Sequence, residues 1–157
     1  MSVSRRAADL SYRLYGRIRH RDAASIAEGT AQARDFEHLH GHKYALLVSY
    51  RRSGEGVPTP VWFGLADGKL YFRTERRLAK VKRIAANRRV RVAPCTLRGK
   101  PLGPAVEGEA RILSGDEEER RAEAALQANY GLGRRIYETP QEPLGLAGHY
   151  VEVTPTG

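Results

Sequence analysis

The chain has one cysteine, one tryptophan and three phenylalanines, and no apolar run approaching the roughly 20 residues that cross a bilayer. A single cysteine closes no internal disulfide and completes no multi-cysteine metal site, so a cytoplasmic setting is expected. The opening MSVSRRAADLSYRLYGR lacks the unbroken apolar stretch and small-residue cleavage pattern of a secretory signal. No G-x-G-x-x-G follows a strand pattern, which excludes a Rossmann reading. Acids are the minority, 18 against 27 Lys and Arg, for a net charge of +9. The imbalance is local: between Lys69 and Lys100 twelve Lys or Arg stand against one acid, Glu75. A field that dense attracts a polyanion, whether nucleic acid, a phosphorylated coenzyme or a polycarboxylate tail. No helix-turn-helix, zinc-finger or RNA-binding signature accompanies it, so nucleic acid is the lesser reading.

What is present fits one folded domain. The 157 residues are 41% hydrophobic and 29% charged, values of a globular chain long enough for one core and too short for two. Residues 1–42 are expected to form an N-terminal arm, helical around Leu10, Tyr12, Leu14 and Tyr15 or partly mobile, packed on a partner subunit. His20, His38, His40 and His42 lack an acid or cysteine placed to complete a metal motif, and no metal is expected.

Residues 43–157 carry the fold. Tyr44 to Tyr50 reads as a strand, and Arg51 to Pro60 as a turn region punctuated by Gly54, Gly56 and Pro58. Val61 to Phe63 begins a second strand, and Asp67-Gly68 is a strong hairpin signal returning into a third over Leu70–Thr74. Leu78, Val81, Ile84 and Ala85 recur at helical spacing, with Lys80, Lys82, Arg83 and Asn87 on the other faces. Val90 to Ala93 and Val106 to Leu113 follow as strands around a long loop. Ser114 with Glu117 forms a capping box for a helix reaching Tyr130 and stopped by Gly131. His149 to Val153 closes the pattern as a sixth strand. Six short strands with small helices predict a mostly-β barrel.

Two constellations carry chemistry. Thr59, fixed by Pro60 and followed by Trp62 and Phe63, can offer a hydroxyl and a backbone N–H to a planar heterocycle. Alternation sends at least one of the two aromatics into the core. Thr74 ends the third strand just ahead of Lys80 and Lys82, a setting for a phosphate. Being two residues apart, the two lysines cannot both point the same way from a helix. Arg98, beside Gly99, can close over an anion or the far end of a cofactor. Cys95 reads as a small buried hydrophobe. No residue declares itself a general acid or base, as expected where a cofactor carries the chemistry.

The succession TPVWF, LYFRTE, K-x-K-R-I-x-x-N-x-R-V and APC-x-x-RG resembles the flavin- and deazaflavin-binding split β-barrels, the superfamily of pyridoxamine 5'-phosphate oxidase. The actinobacterial branch using the deazaflavin coenzyme F420 is the nearest in pattern. The resemblance covers residues 40–113 most strongly. It implies a six-stranded split barrel, a homodimer with two cofactor sites at the subunit interface, and an F420-dependent reductase passing a hydride to a small electron-poor acceptor. By the same resemblance, Pro58, Thr59, Pro60, Val61 and Trp62 line the cofactor ring. Arg73, Thr74, Lys80 and Lys82 hold the phosphate, and Arg98 and Gly99 form the loop of the deazaflavin branch. Arg88 stands where the family commonly has proline after Asn87. The oxidase's first strand is arginine-rich, whereas this chain has Leu46, Leu47 and Val48, which argues against pyridoxine-phosphate oxidation. An FMN-binding oxidoreductase on the same barrel is the alternative, followed by a coenzyme-sequestering or nucleic-acid-binding protein.

Overall fold

A computed structural model describes residues 21–29, 31–75, 79–130 and 148–157. The helix expected around Leu10–Tyr15, Arg76 and Arg77, and the irregular stretch 134–147 lie outside the described residues. Seven strands are present: β1 (Tyr44–Tyr50), β2 (Gly56–Trp62), β3 (Gly64–Ala66), β4 (Lys69–Glu75), β5 (Arg89–Cys95), β6 (Val106–Ile112) and β7 (Gly148–Pro155). Among the described residues, two α-helices, α1 (Ala79–Ala86) and α2 (Asp116–Tyr130), and two 3-10 turns at Arg21–Ala27 and Glu37–Leu39 accompany the strands.

The strands form one antiparallel sheet in the order β2-β1-β5-β6-β7-β4-β3. Its two edges, β2 and β3, are separated in sequence by Phe63 alone. The sheet must therefore curl until its edges approach, giving the half-open barrel expected of a split-barrel fold. Strand number departs from the expected six. The run after Pro60 is two strands because at Phe63 the chain leaves β1 (Tyr44↔Trp62) and takes up β4 (Gly64↔Tyr71). Gly64 permits the switch: a Cβ there would strike the backbone of Ala125 and Leu126 in α2.

The stretch Arg51–Pro60, read from sequence as a turn region, is a turn only to Glu55. From Gly56 it is β2, despite Pro58 and Pro60. An edge strand has a neighbour on one side only, so a missing N–H on the other costs no ladder bond. Inside the curl, Ala45, Leu47, Val61, Phe63, Leu70, Phe72, Val90, Val92, Val106, Ala110, Val151 and Val153 pack with Ile84 of α1 and with Phe36 and Leu39. On the outer face α2 covers Tyr71 and Leu113 with Ala122 and Ala125. The helix begins at Asp116, with Gly115 O accepting from the Glu119 N–H at 3.1 Å, so the cap position is Gly115 rather than Ser114.

Residues 21–29 form a strap across the other outer face, where Ala23 and Ile26 pack on Leu46 and Cys95. Arg91 latches it. Its buried guanidinium pairs with Glu107 at 3.0 Å and donates to the carbonyls of Ile26 (3.2 Å), Glu28 (3.0 Å) and Gly29 (2.6 Å). Burial under the strap pushes the Cys95 thiol up to about 12. No described helix is long and apolar enough to cross a membrane.

Candidate functional site

The closed end of the barrel is where β1 and β4 finish, β5 begins and α1 crosses between them. Side chains alternate along β4, so Thr74 shares the inward face of Leu70 and Phe72, while Arg73 faces outward with Tyr71. Thr74 is 6% exposed, and its hydroxyl finds no hydrogen-bond partner among the described residues. Leaving a buried hydroxyl unsatisfied costs about 1–3 kcal/mol, and no described residue offsets that cost here. Arg73 lies across the ring of Tyr150, 5.7 Å from its centroid, and against Gly148. The adjacent residues Arg73 and Thr74 thus serve opposite faces.

Helix α1 turns Lys80, Val81 and Ile84 inward. Lys80 is 6% exposed, on the same end of the barrel as Thr74, whereas Lys82 is in solvent. The sequence-level apolar stripe is correspondingly rotated: Ala85 is exposed and Lys80 takes an inward position. Arg83 stands one turn beyond Lys80 and donates Nε to Ser49 Oγ at 2.7 Å. Ser49 is buried on the inward face of β1, in register with Val57. That pair escaped the sequence reading. Its only signal is a serine at an inward position of an otherwise apolar strand, which needs a partner.

Strand β2 is split by alternation. Thr59 and Val61 lie opposite Leu47 and Ala45 on the inward face; Pro58, Pro60 and Trp62 lie on the outer one. Val61 is core, Pro58 is buried, and Thr59, Pro60 and Trp62 are half-buried. Trp62 stays at the surface beside Tyr44, rings 6.5 Å apart, and Phe63 is the aromatic that enters the core. Arg98 and Gly99 sit in the β5–β6 tip, which Gly99 turns with φ +87° and an N–H bond to Thr96 O at 2.9 Å. Since Tyr44 is in register with both Trp62 and Cys95, this tip is level with Trp62. The two clusters therefore occupy opposite ends, separated along β1 by about 20 Å at 3.3 Å per residue.

A second polar group lies under α2. Glu152 accepts from Tyr71 Oη (3.0 Å), Lys69 Nζ (3.4 Å) and Arg111 Nη2 (3.3 Å). Burial works to raise its carboxyl, but these hydrogen bonds and charges outweigh it and hold it below the usual range. Burial and the bond to Glu152 push Tyr71 up to about 12. Among the described residues no cluster of three His, Cys, Asp or Glu is placed to hold a metal. His38 is instead engaged with Pro104 O at 2.9 Å, and His40 lies 3.7 Å from Glu37.

Residues 29–156 match the family model described as pyridoxamine 5'-phosphate oxidase. Solved structures share the fold at low identity. A heme storage protein from Vibrio cholerae is 12% identical, with a TM-score of 0.59 over 77% of this chain and 87% of its own. An FAD-binding protein from Mesorhizobium loti is 14% identical, with a TM-score of 0.53 over 76% and 83%. A candidate pyridoxamine 5'-phosphate oxidase from Listeria innocua is 19% identical, with a TM-score of 0.50 over 76% and 88%. Comparison with curated proteins gives no match.

Proposed function

The chain belongs to the pyridoxamine 5'-phosphate oxidase family, and from that premise we propose that it is a cytoplasmic oxidoreductase of the deazaflavin coenzyme F420, acting on a small electron-poor organic acceptor. When bound, the reduced coenzyme supplies a hydride. The chain supplies position. Thr74 offers its unsatisfied hydroxyl to a phosphate oxygen, Lys80 contributes charge from the inward face of α1, and Lys82 and Arg73 stand at the rim. Pro58, Thr59, Pro60, Val61 and Trp62 form the strand beside the ring, with Arg98 and Gly99 at the far tip. The functional unit is a homodimer with its two cofactor sites at the subunit interface.

The observation that carries this reading is the buried Thr74 hydroxyl, without a hydrogen-bond partner among the described residues, at the end of the strand that leads into the helix of buried Lys80. A phosphate oxygen accepts from a hydroxyl, and the lysine favours its charge. The separation of about 20 Å along β1 suits an extended ligand rather than a compact one. FMN is the second reading, favoured by the FAD-binding protein among the structural relatives. Replacing Lys80 with alanine should weaken coenzyme binding about tenfold while leaving the protein folded, as charge-assisted bonds of this kind contribute about 1.5–3 kcal/mol. Affinity unchanged in both Lys80→Ala and Lys82→Ala removes the phosphate assignment. Binding without turnover across quinones, nitroaromatics and unsaturated carbonyls replaces the reductase with a coenzyme carrier.

A further inference from the structure

Arg83 is half-buried, and among the described residues its guanidinium makes one side-chain hydrogen bond, to Ser49 Oγ at 2.7 Å. Guanidinium has five N–H donors in a planar fork. With Nε fixed by Ser49, both terminal nitrogens remain available among the described residues, and no described carboxylate pairs with them. Arg89 and Arg91 at the same barrel end are different: both bind Glu107. Among the described residues, the charge that acts on Arg83 is of its own sign. Burial first, and then Arg51, depress its basicity, and no acid opposes them. Arg51 lies two residues beyond Ser49, just past the end of β1, and its only acid is Glu55, an exposed pair at 3.7 Å. Among the described residues, two guanidiniums that repel each other, with one exposed acid on Arg51, leave positive charge at this end of the barrel.

We propose that Arg83, oriented by Ser49 and supported by Arg51, is an anion-binding seat for a carboxylate or phosphate oxyanion, separate from the hydroxyl of Thr74. The terminal N–H pair of an orientated guanidinium matches two oxygens of such a group side by side. Ser49 spares Arg83 the cost of being ordered at the moment of binding, because its bond already fixes the plane of the fork. The two seats stand on strands that are not hydrogen-bonded neighbours, β1 and β4, and each has its own hydroxyl. The oxyanion is either a further acidic group of the cofactor or an independent small anion, and the seat does not depend on which.

The test is calorimetric titration of the full chain with inorganic phosphate at low ionic strength, in wild type and in Arg83→Ala, Arg83→Lys, Arg88→Ala and Thr74→Val. Arg83→Ala is expected to weaken phosphate at least fivefold, and Arg83→Lys two- to fivefold because charge survives without the fork. Arg88→Ala, which removes an equal charge from an exposed position, should change it less than twofold, and Arg83→Ala made in the Thr74→Val background should still weaken phosphate at least fivefold. Unchanged affinity in both Arg83 variants overturns the seat. An equal loss in Arg88→Ala reduces it to the general field of the surface, and no further loss from Arg83→Ala in the Thr74→Val background merges it with the other site; either result also overturns it. Should Arg83→Ala not unfold cooperatively, Arg83→Lys carries the comparison. Repeating the titrations with F420 assigns the source: a loss in Arg83→Ala makes the oxyanion the cofactor's own, and no loss makes it a separate anion. Failure of the Thr74 reading would appear only in the Thr74→Val coenzyme titration and leaves the phosphate result standing.

Discussion

Thr74 and Glu152 are both buried polar residues close together on the β4–β7 ladder, and they are handled in opposite ways. Glu152 is satisfied by three donors, whereas the Thr74 hydroxyl has none among the described residues. Thr74→Val keeps the shape and removes the unsatisfied group, so the ligand-free protein should be as stable as wild type or about 1 kcal/mol more stable, read from the denaturant midpoint. A loss of 2 kcal/mol or more would mean that the hydroxyl is bonded within the protein. For Glu152 the sign is fixed by its depressed pKa. Its contribution is complete above the unfolded value near 4.5 and is lost as pH falls through the lower folded value. The stability gap between wild type and Glu152→Gln should therefore be flat at neutral pH and close below about pH 4.5, as followed by urea unfolding. A gap that widened on acidification would contradict it. That only one of Lys80 and Lys82 turns inward was legible from sequence, because residues two apart cannot share a helix face. Ser49–Arg83 was not, since that bond joins residues 34 apart through a fold that local spacing does not encode.

At the scale of elements, the decisive junction is Phe63. The chain there passes from one edge of the sheet to the other, and Gly64 lets β3 touch the backbone of α2. Gly64→Ala should destabilise the domain by about 2 kcal/mol or more through overpacking against an atom that cannot rotate away, measured by thermal or chemical unfolding. An effect under 0.5 kcal/mol would show that α2 shifts freely. The Asp67-Gly68 hairpin and the strand β1 were readable because turn chemistry and β-branched runs are local properties. Two readings failed for nonlocal reasons. Pro58 and Pro60 looked like breakers, but their strand lies at a sheet edge where proline is tolerated. The helix cap fell one residue later than Ser114-x-x-Glu117 suggested, with the chain turning at Gly115, φ +100°.

For the molecule as a whole, the positive charge concentrated between Lys69 and Lys100 is partly internal bookkeeping. Arg89 and Arg91 answer Glu107, Arg91 also latches the strap, and Arg73 covers Tyr150. The sequence shows the total but not which cations are already engaged, because the answering groups come from distant strands. The two proposed seats, Thr74 with Lys80 and Arg83 with Ser49, lie at the barrel end opposite Trp62 and Arg98. The family fold follows from the curled sheet; the choice of F420 over FMN rests on charge and motif. Both are reached most directly by titrating wild type and Thr74→Val with F420, following fluorescence. Saturable binding to wild type, weakened about tenfold in a Thr74→Val protein of undiminished stability, is the expected result. Binding that is identical in the two proteins, or saturation with FMN and none with F420, would contradict it.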